Sequence, residues 1–351
     1  MALTEARRRT DMASRGTWTV VTIVGLLSTA VSAGDQDCRR LMVDGKLQAD
    51  LGRHEEASAA FRKIADDEAA PPSLRWEALV RLGLVRSAAG DPAASADAFR
   101  SVLRGYSEDP AAMRFLFQAV ASTVPGKIWI DFKEEFEELL RTARVVAVEE
   151  LGMGLKRPKK VTLSNGDLEL SAVWKPRIQG QGSSRFEVAA YEVDKMLGLD
   201  MVPPTVLRTL AGDEGSLQLW IYGCESFGAV RDRAPDTPEW RHQVLRMMTF
   251  DQFIANRARN QASILVDASW EIVLIDHSLS FWGIGTLMEL PARFDRRMVE
   301  ELRQLERPVL LARLGGLLTE QQVESLLERR DALVTHVEKL IEERGEQAVL
   351  F

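Results

Sequence analysis

One stretch of the chain repeats itself. Leu51-Gly52-Arg53-His54-Glu55-Glu56-Ala57, leading to Ala60-Phe61-Arg62, recurs 38 residues later as Ala89-Gly90-Asp91-Pro92-Ala93-Ala94-Ser95, leading to Ala98-Phe99-Arg100. A constant displacement of this size means one supersecondary unit used twice. The residue types make that unit helical. Gly52 and Gly90 stand where a helix ends and the chain needs a left-handed residue, the small alanines let a second helix pack closely, and Phe61 and Phe99 fill the space between helices. Residues 34–125 are therefore predicted to form a short all-α module of helical hairpins, with Asp66-Asp67 to Pro71-Pro72 as the loop between them. Residues 126–145 carry Trp129, Phe132, Phe136, Leu139 and Leu140 at steps of three and four, which predicts an amphipathic connecting helix.

The repeat resembles the tetratricopeptide family, whose period is slightly shorter. That resemblance implies a protein or peptide partner held by the hairpins; a structural cap on the next domain is the alternative.

The 351 residues, 46% of them hydrophobic, are enough for about two domains without a metal or disulfide staple. A balance of 45 Lys+Arg against 52 Asp+Glu argues against a dedicated nucleic-acid binder. Cys38 and Cys224 are too few for a disulfide framework and lack zinc-site spacing, as do His54, His242, His277 and His336. The start of the chain reads as a targeting segment. Arg7, Arg8, Arg9 and Arg15 precede a stretch from Gly16 to Gly34 without charge, and Val31-Ser32-Ala33 offers small residues at alternate positions. Residues 1–33 are expected to be a signal peptide cleaved after Ala33, giving a secreted or periplasmic protein with no stable membrane span after cleavage. The alternative is an N-terminal membrane anchor. Cleavage takes the net charge from −7 to −9 and would allow Cys38 and Cys224 to pair.

Residues 146–351 read differently. Val161 and Leu163, the turn Asn165-Gly166, then Leu168, Leu170, Ala172 and Trp174 alternate with period two, as a hairpin does. Its second strand ends at Lys175-Pro176. After the Gly/Ser-rich loop 180–184 comes a helix bearing Phe186, Ala189, Val193, Met196 and Leu197, with Glu187 in its first turn. Strand-like text follows at Val202–Val206 and Leu217–Ile221. A buried helix spans Glu239–Ala255, and a second hairpin (Ile264–Val266 and Trp270–Ile275) leads into Asp276-His277. The C-terminus is helical, with a capping box at Thr319 and Gln322. Lys156-Arg157-Pro158-Lys159-Lys160 is the one basic run. Read alone, Lys175 would be a strand-end lysine keeping its charge in water, and Glu187 an acid favoured by the helix dipole.

Read in order, Ala172-Val173-Trp174-Lys175-Pro176, Glu187-Val188-Ala189-Ala190-Tyr191, Leu197-Gly198-Leu199-Asp200-Met201-Val202-Pro203-Pro204 and Ile275-Asp276-His277 resemble the atypical kinase superfamily that includes phosphatidylinositol 3/4-kinases, HipA-type kinases and secretory-pathway protein kinases. The resemblance implies an α+β fold: a two-lobed protein-kinase-like domain, small lobe 146–225 and large lobe 226–351, after the short all-α repeat module. It implies ATP with magnesium or manganese as cofactors. Lys175 would contact the phosphates, Glu187 would hold Lys175, and Gln218, Trp220 and Ile221 would lie on the hinge strand beside the adenine. Gly152-Met153-Gly154 would be the phosphate-covering turn and Asp276 a metal ligand.

The chain departs from the family pattern in Asn256-Arg257-Ala258-Arg259-Asn260-Gln261-Ala262-Ser263. The family carries Asp where Ala258 stands and a second, metal-binding Asn where Ser263 stands. Ala258 has no proton acceptor, and Ser263 offers a neutral hydroxyl as a candidate metal oxygen. The expectation is an exported pseudokinase or scaffold that binds nucleotide and transfers poorly. Two alternatives stay open: an active, diverged protein, lipid or small-molecule kinase in which Asp251, Asn256 or Asn260 takes over part of the lost role, and a structural partner-binding protein with a vestigial site.

Overall fold

The computed structural model describes residues 33–123, 125–152, 158–166, 168–177, 183–282, 287–288 and 290–351. The expected leader up to residue 32, Met153-Gly154, Lys156-Arg157 and most of the 180–184 loop lie outside them. Helices α1 (Ala33–Asp50), α2 (His54–Asp66), α3 (Pro72–Ala88) and α4 (Pro92–Tyr106) form two successive hairpins. Gly52 and Gly90 adopt φ of 72° and 77°, and in each hairpin the next amide reaches back five residues, Arg53 N–H to the Gln48 carbonyl and Asp91 N–H to the Arg86 carbonyl, both at 2.9 Å. This closure satisfies the carbonyls a helix end leaves free. The repeat extends beyond the two stretches that contain Phe61 and Phe99. Gly45 and Gly83, also 38 residues apart, face the Phe61 and Phe99 rings so closely that a Cβ at either position would overlap the ring. Each hairpin is thus locked by one glycine and one phenylalanine.

Helix α5 (Pro110–Thr123) follows, then a 3-10 helix (Gly126–Phe132) and α6 (Lys133–Thr142). The single connecting helix expected over 126–145 is broken here, because Gly126 enters with φ of 55° and Lys127 is non-helical. β1 (Arg144–Glu150), β2 (Lys159–Ser164), β3 (Glu169–Pro176), β4 (Thr205–Leu210) and β5 (Asp213–Leu219) form an antiparallel sheet in the order β1-β2-β3-β5-β4, with α7 (Ser184–Leu197) between β3 and β4 in the chain. One face of the sheet, including Val161, Leu163, Leu170, Ala172, Trp174, Leu217 and Leu219, is buried in the same core as Phe99, Leu116, Trp129, Phe136 and Leu140. The repeat module and the sheet therefore share one hydrophobic core. With period two along each strand, the opposite face carries Lys160, Thr162, Ser171, Lys175, Ser216 and Gln218.

The rest of the chain comprises β6 (Glu225–Ser226), α8 (Phe227–Val230), α9 (Pro238–Phe253), β7 (Ile264–Val266), β8 (Ile272–Leu274), α10 (Arg296–Gln304), α11 (Arg307–Leu314), α12 (Glu320–Arg344) and α13 (Glu346–Val349). The architecture is thus a helical-hairpin run followed by an α+β domain. β6, β7 and β8 pair in a small sheet. Thr319 and Gln322 make the capping box that starts α12, whose Leu333 and Val337 join α7 and α9 in a second core. Among the described residues, no helix is long and apolar enough to cross a membrane.

Asp194 on α7 shapes the turn that leads to β4. Its Oδ1 accepts from the amides of Met201 (3.0 Å) and Val202 (3.2 Å), holding the segment in which Gly198 and Asp200 both have positive φ. Burial pushes this carboxyl up to about 7, against the pull of those amides. A raised carboxyl means that the folded state holds a proton the unfolded chain has released, so stability is full below the unfolded value near 4 and falls as pH rises to about 7. The cost of charging is on the order of 4 kcal/mol. Asp194→Asn keeps the accepting oxygen and removes the charge. Its melting temperature should exceed the parent's at pH 8, with the gain shrinking as pH falls and vanishing only below about pH 4; a gain equal at pH 8 and pH 4 would sink this account.

Candidate functional site

The site forms where three elements end. Ser183 caps α7, its hydroxyl accepting from the Arg185 amide at 3.1 Å. The helical period then turns Phe186 and Ala190 into the core and places Glu187, buried, beside the polar face of the sheet. Strand alternation delivers Lys175 to that face. Beyond β8, Asp276 takes a left-handed φ of 62°, which carries its carboxylate out toward Lys175. The Lys175 Nζ donates to Glu187 Oε1 at 2.6 Å and to Asp276 Oδ1 at 3.1 Å. Three residues separated by up to 101 positions in the chain thus converge on one ammonium group.

The electrostatics follow from burial and pairing. Burial alone would lower the Lys175 ammonium, but the charges of Glu187 and Asp276 outweigh it and raise it. Burial would likewise raise Glu187, yet the Lys175 charge and the hydrogen bond from His277 hold its carboxyl far below the usual range. Glu187 Oε2 accepts the His277 backbone N–H at 2.8 Å. Asp276 is the open member, with its side chain 53% exposed.

Behind this trio stands Arg259. Its guanidinium pairs with both oxygens of buried Asp251 (2.8 and 2.9 Å) and donates to the carbonyls of Ser263 (2.9 Å) and Ile275 (2.7 Å). It also meets His277 Nε2 at 2.9 Å. Because a guanidinium only donates, Nε2 must accept, so the neutral His277 carries its proton on Nδ1. Burial, together with the nearby Arg259 charge, lowers this imidazole and keeps it neutral. A continuous chain, Asp251–Arg259–His277–Glu187–Lys175–Asp276, therefore connects the loop after α9 with the sheet.

The other expected residues are placed as follows. Ala258 lies in the loop that Arg259 anchors. Ser263 is buried and its hydroxyl is committed to Asn260, donating to the carbonyl at 3.0 Å within a capping box that starts the short 3-10 turn before β7. A metal at Ser263 would have to compete with that cap. Gln218 is buried on the polar face of the sheet, donating to Thr205 Oγ1 at 2.9 Å. Trp220 and Ile221 follow β5. The Lys160 ammonium sits 4.9 Å from the Trp220 ring centre and 5.7 Å from that of Tyr222, so cation–π contacts shape this end of the face. Gly152 has the positive φ of a turn, at 66°. Cys38 and Cys224 are both free thiols. Among the described residues no group of three or more His, Cys, Asp or Glu side chains is gathered to hold a metal.

Arg259 and His277 were given no role from sequence. The signal for Arg259 was its place directly after the altered Ala258. Nothing in the text reveals that a single histidine bonds to a glutamate 90 positions away.

No protein-family model matches the chain, and no curated protein matches it.

Proposed function

We propose that the chain is an exported, two-lobed protein-kinase-like protein that binds ATP with magnesium or manganese and is impaired in phosphoryl transfer, acting as a pseudokinase or scaffold. The observation that carries this reading is Lys175 held between buried Glu187 and open Asp276. Lys175 would grip the nucleotide phosphates, Glu187 would orient it, and Asp276 would offer an oxygen to a phosphate-bound metal ion. Magnesium in such sites uses one or two carboxylates plus phosphate oxygens, so this donor set fits. The bound metal would supply charge neutralisation at the phosphates.

The impaired half of the reading rests on Ala258, which cannot accept a proton from an incoming hydroxyl. General-base assistance is typically worth about a hundredfold or more. The residues that could substitute are engaged elsewhere. Asp251 is held by Arg259 and by the Asn256 amide at 3.0 Å, and Asn260 Oδ1 accepts from the Ala262 and Ser263 amides. The helical repeats would hold the protein or peptide partner.

Thermal-shift titration with ATP, with and without magnesium or manganese, tests the binding half. Metal-dependent stabilisation should rise with ATP as binding to the folded state requires, and no shift under any metal condition would rule out nucleotide binding. Incubation with labelled ATP and candidate acceptors tests the other half: transfer at ordinary kinase rates, lost in Lys175→Ala, would replace the pseudokinase reading with an active one.

A further inference from the structure

We infer that the site at Lys175 recognises a phosphate chain and not a particular base: it takes purine and pyrimidine nucleoside triphosphates alike, admits inorganic tripolyphosphate as a competitor, and grips the chain with Lys160 as a second cation. The inference rests on the nucleotide-binding role proposed for Lys175. The observation behind it is a pair of cations on the polar face of the sheet. Lys160 pairs with Val173 across β2 and β3, and Val173 and Lys175, two positions apart on one strand, point to the same face. The two lysines are therefore diagonal neighbours, with their Cβ atoms about 7 Å apart. Lys159, on the opposite face, is paired with Glu150 at 3.1 Å. Lys160 has no carboxylate partner among the described residues, and its ammonium rests on the Trp220 and Tyr222 rings.

The groups that could tell one base from another are committed elsewhere. Base identity is read from the pattern of donors and acceptors along the base edge. At this end of the face the Leu219 and Trp220 amides donate to the carbonyls of Pro204 (2.9 Å) and Ser171 (3.0 Å), and the Gln218 carboxamide nitrogen donates to Thr205. The Ile221 amide has no partner among the described residues, but it is a single donor, and every base edge offers it an acceptor. What this end does offer is ring surface. Tyr222 is held in place by its hydroxyl, which donates to Ser171 Oγ at 2.8 Å, and stacking on an aromatic ring tolerates any base. A base that takes the ring face from the Lys160 ammonium frees that ammonium for the phosphates beside Lys175. A compact charge on a flexible stem suits this exchange.

Calorimetric titration of the full chain at fixed free magnesium tests this. ATP, GTP and CTP should bind within about threefold of one another, and inorganic tripolyphosphate should compete with ATP one for one. Lys160→Gln should weaken all four ligands by about tenfold while far-UV circular dichroism is unchanged. Lys160→Arg, which keeps the charge and the ring contact, should restore most of the loss. A preference for ATP over GTP and CTP of more than about tenfold would overturn the inference while leaving nucleotide binding in place. So would a Lys160→Gln variant that binds as the parent does, or a loss that Lys160→Arg does not restore. Silence toward all four ligands would instead remove the nucleotide-binding role of Lys175, and this inference with it.

Discussion

Lys175→Met should lower the melting temperature by roughly 6 °C at pH 7.5, and adding Glu187→Gln should restore most of it. Removing Lys175 leaves the Glu187 carboxylate buried with the His277 amide as its remaining close donor. Breaking a buried ion pair from one side typically costs about 3–5 kcal/mol, and each kcal/mol moves the transition of a chain of 351 residues by roughly 1.5 °C. The pH dependence reverses with the substitution. In the parent, Glu187 is held below its unfolded value, so its contribution is present above pH 4 to 5 and is lost as pH falls through the folded value. In Lys175→Met the lone buried carboxyl is raised instead, so the deficit grows as pH rises from about 5. A single-mutant deficit that is flat with pH, or a double mutant no better than the single, would show that the pair does not carry this stability.

Arg259→Met should be comparably damaging, by about 3–5 kcal/mol. Asp251, 9% exposed at its side chain, would keep Asn256 as its remaining side-chain donor, and the Ser263 and Ile275 carbonyls and His277 Nε2 would lose a partner together. Arg259→Lys should rescue little, because one ammonium cannot span acceptors that a planar fork reaches at once. Hydrogen exchange locates the effect: in Arg259→Met, amides around residues 256–264 and 275–278 should lose protection while the repeat helices keep theirs. Uniform loss over the whole chain would mean that Arg259 serves general stability rather than the link between these two loops.

What was legible in the text was local. Lys175, Glu187 and Asp276 each lie near the end or start of a segment whose period was clear, so their segments could be read from alternation and helical spacing; that the three would meet was implied by the family resemblance alone. The glycine turns of the hairpins, the buried Phe61 and Phe99 and the Thr319 cap were visible for the same reason. β1 was missed because its residues are mostly exposed and present no buried alternation to read. The Arg259 network was missed because its partners lie on different segments, and a hydrogen bond leaves no period in the chain. The apolar stripe of Trp129, Phe136 and Leu140 was seen, but the surface it covers was not: an amphipathic face announces that it is buried, never against what.

That shared core has a consequence for how the molecule is made. The chain emerges N-terminus first, so α3 to α6 are complete before the first strand of the sheet exists. They supply the floor onto which Val161, Leu163, Leu170, Ala172, Leu217 and Leu219 settle. The repeats therefore act as a template for the sheet. Residues 146–351 produced without them would have to fold with an apolar face of the sheet open to water, a poor starting point for expressing that half as an independent enzyme or scaffold.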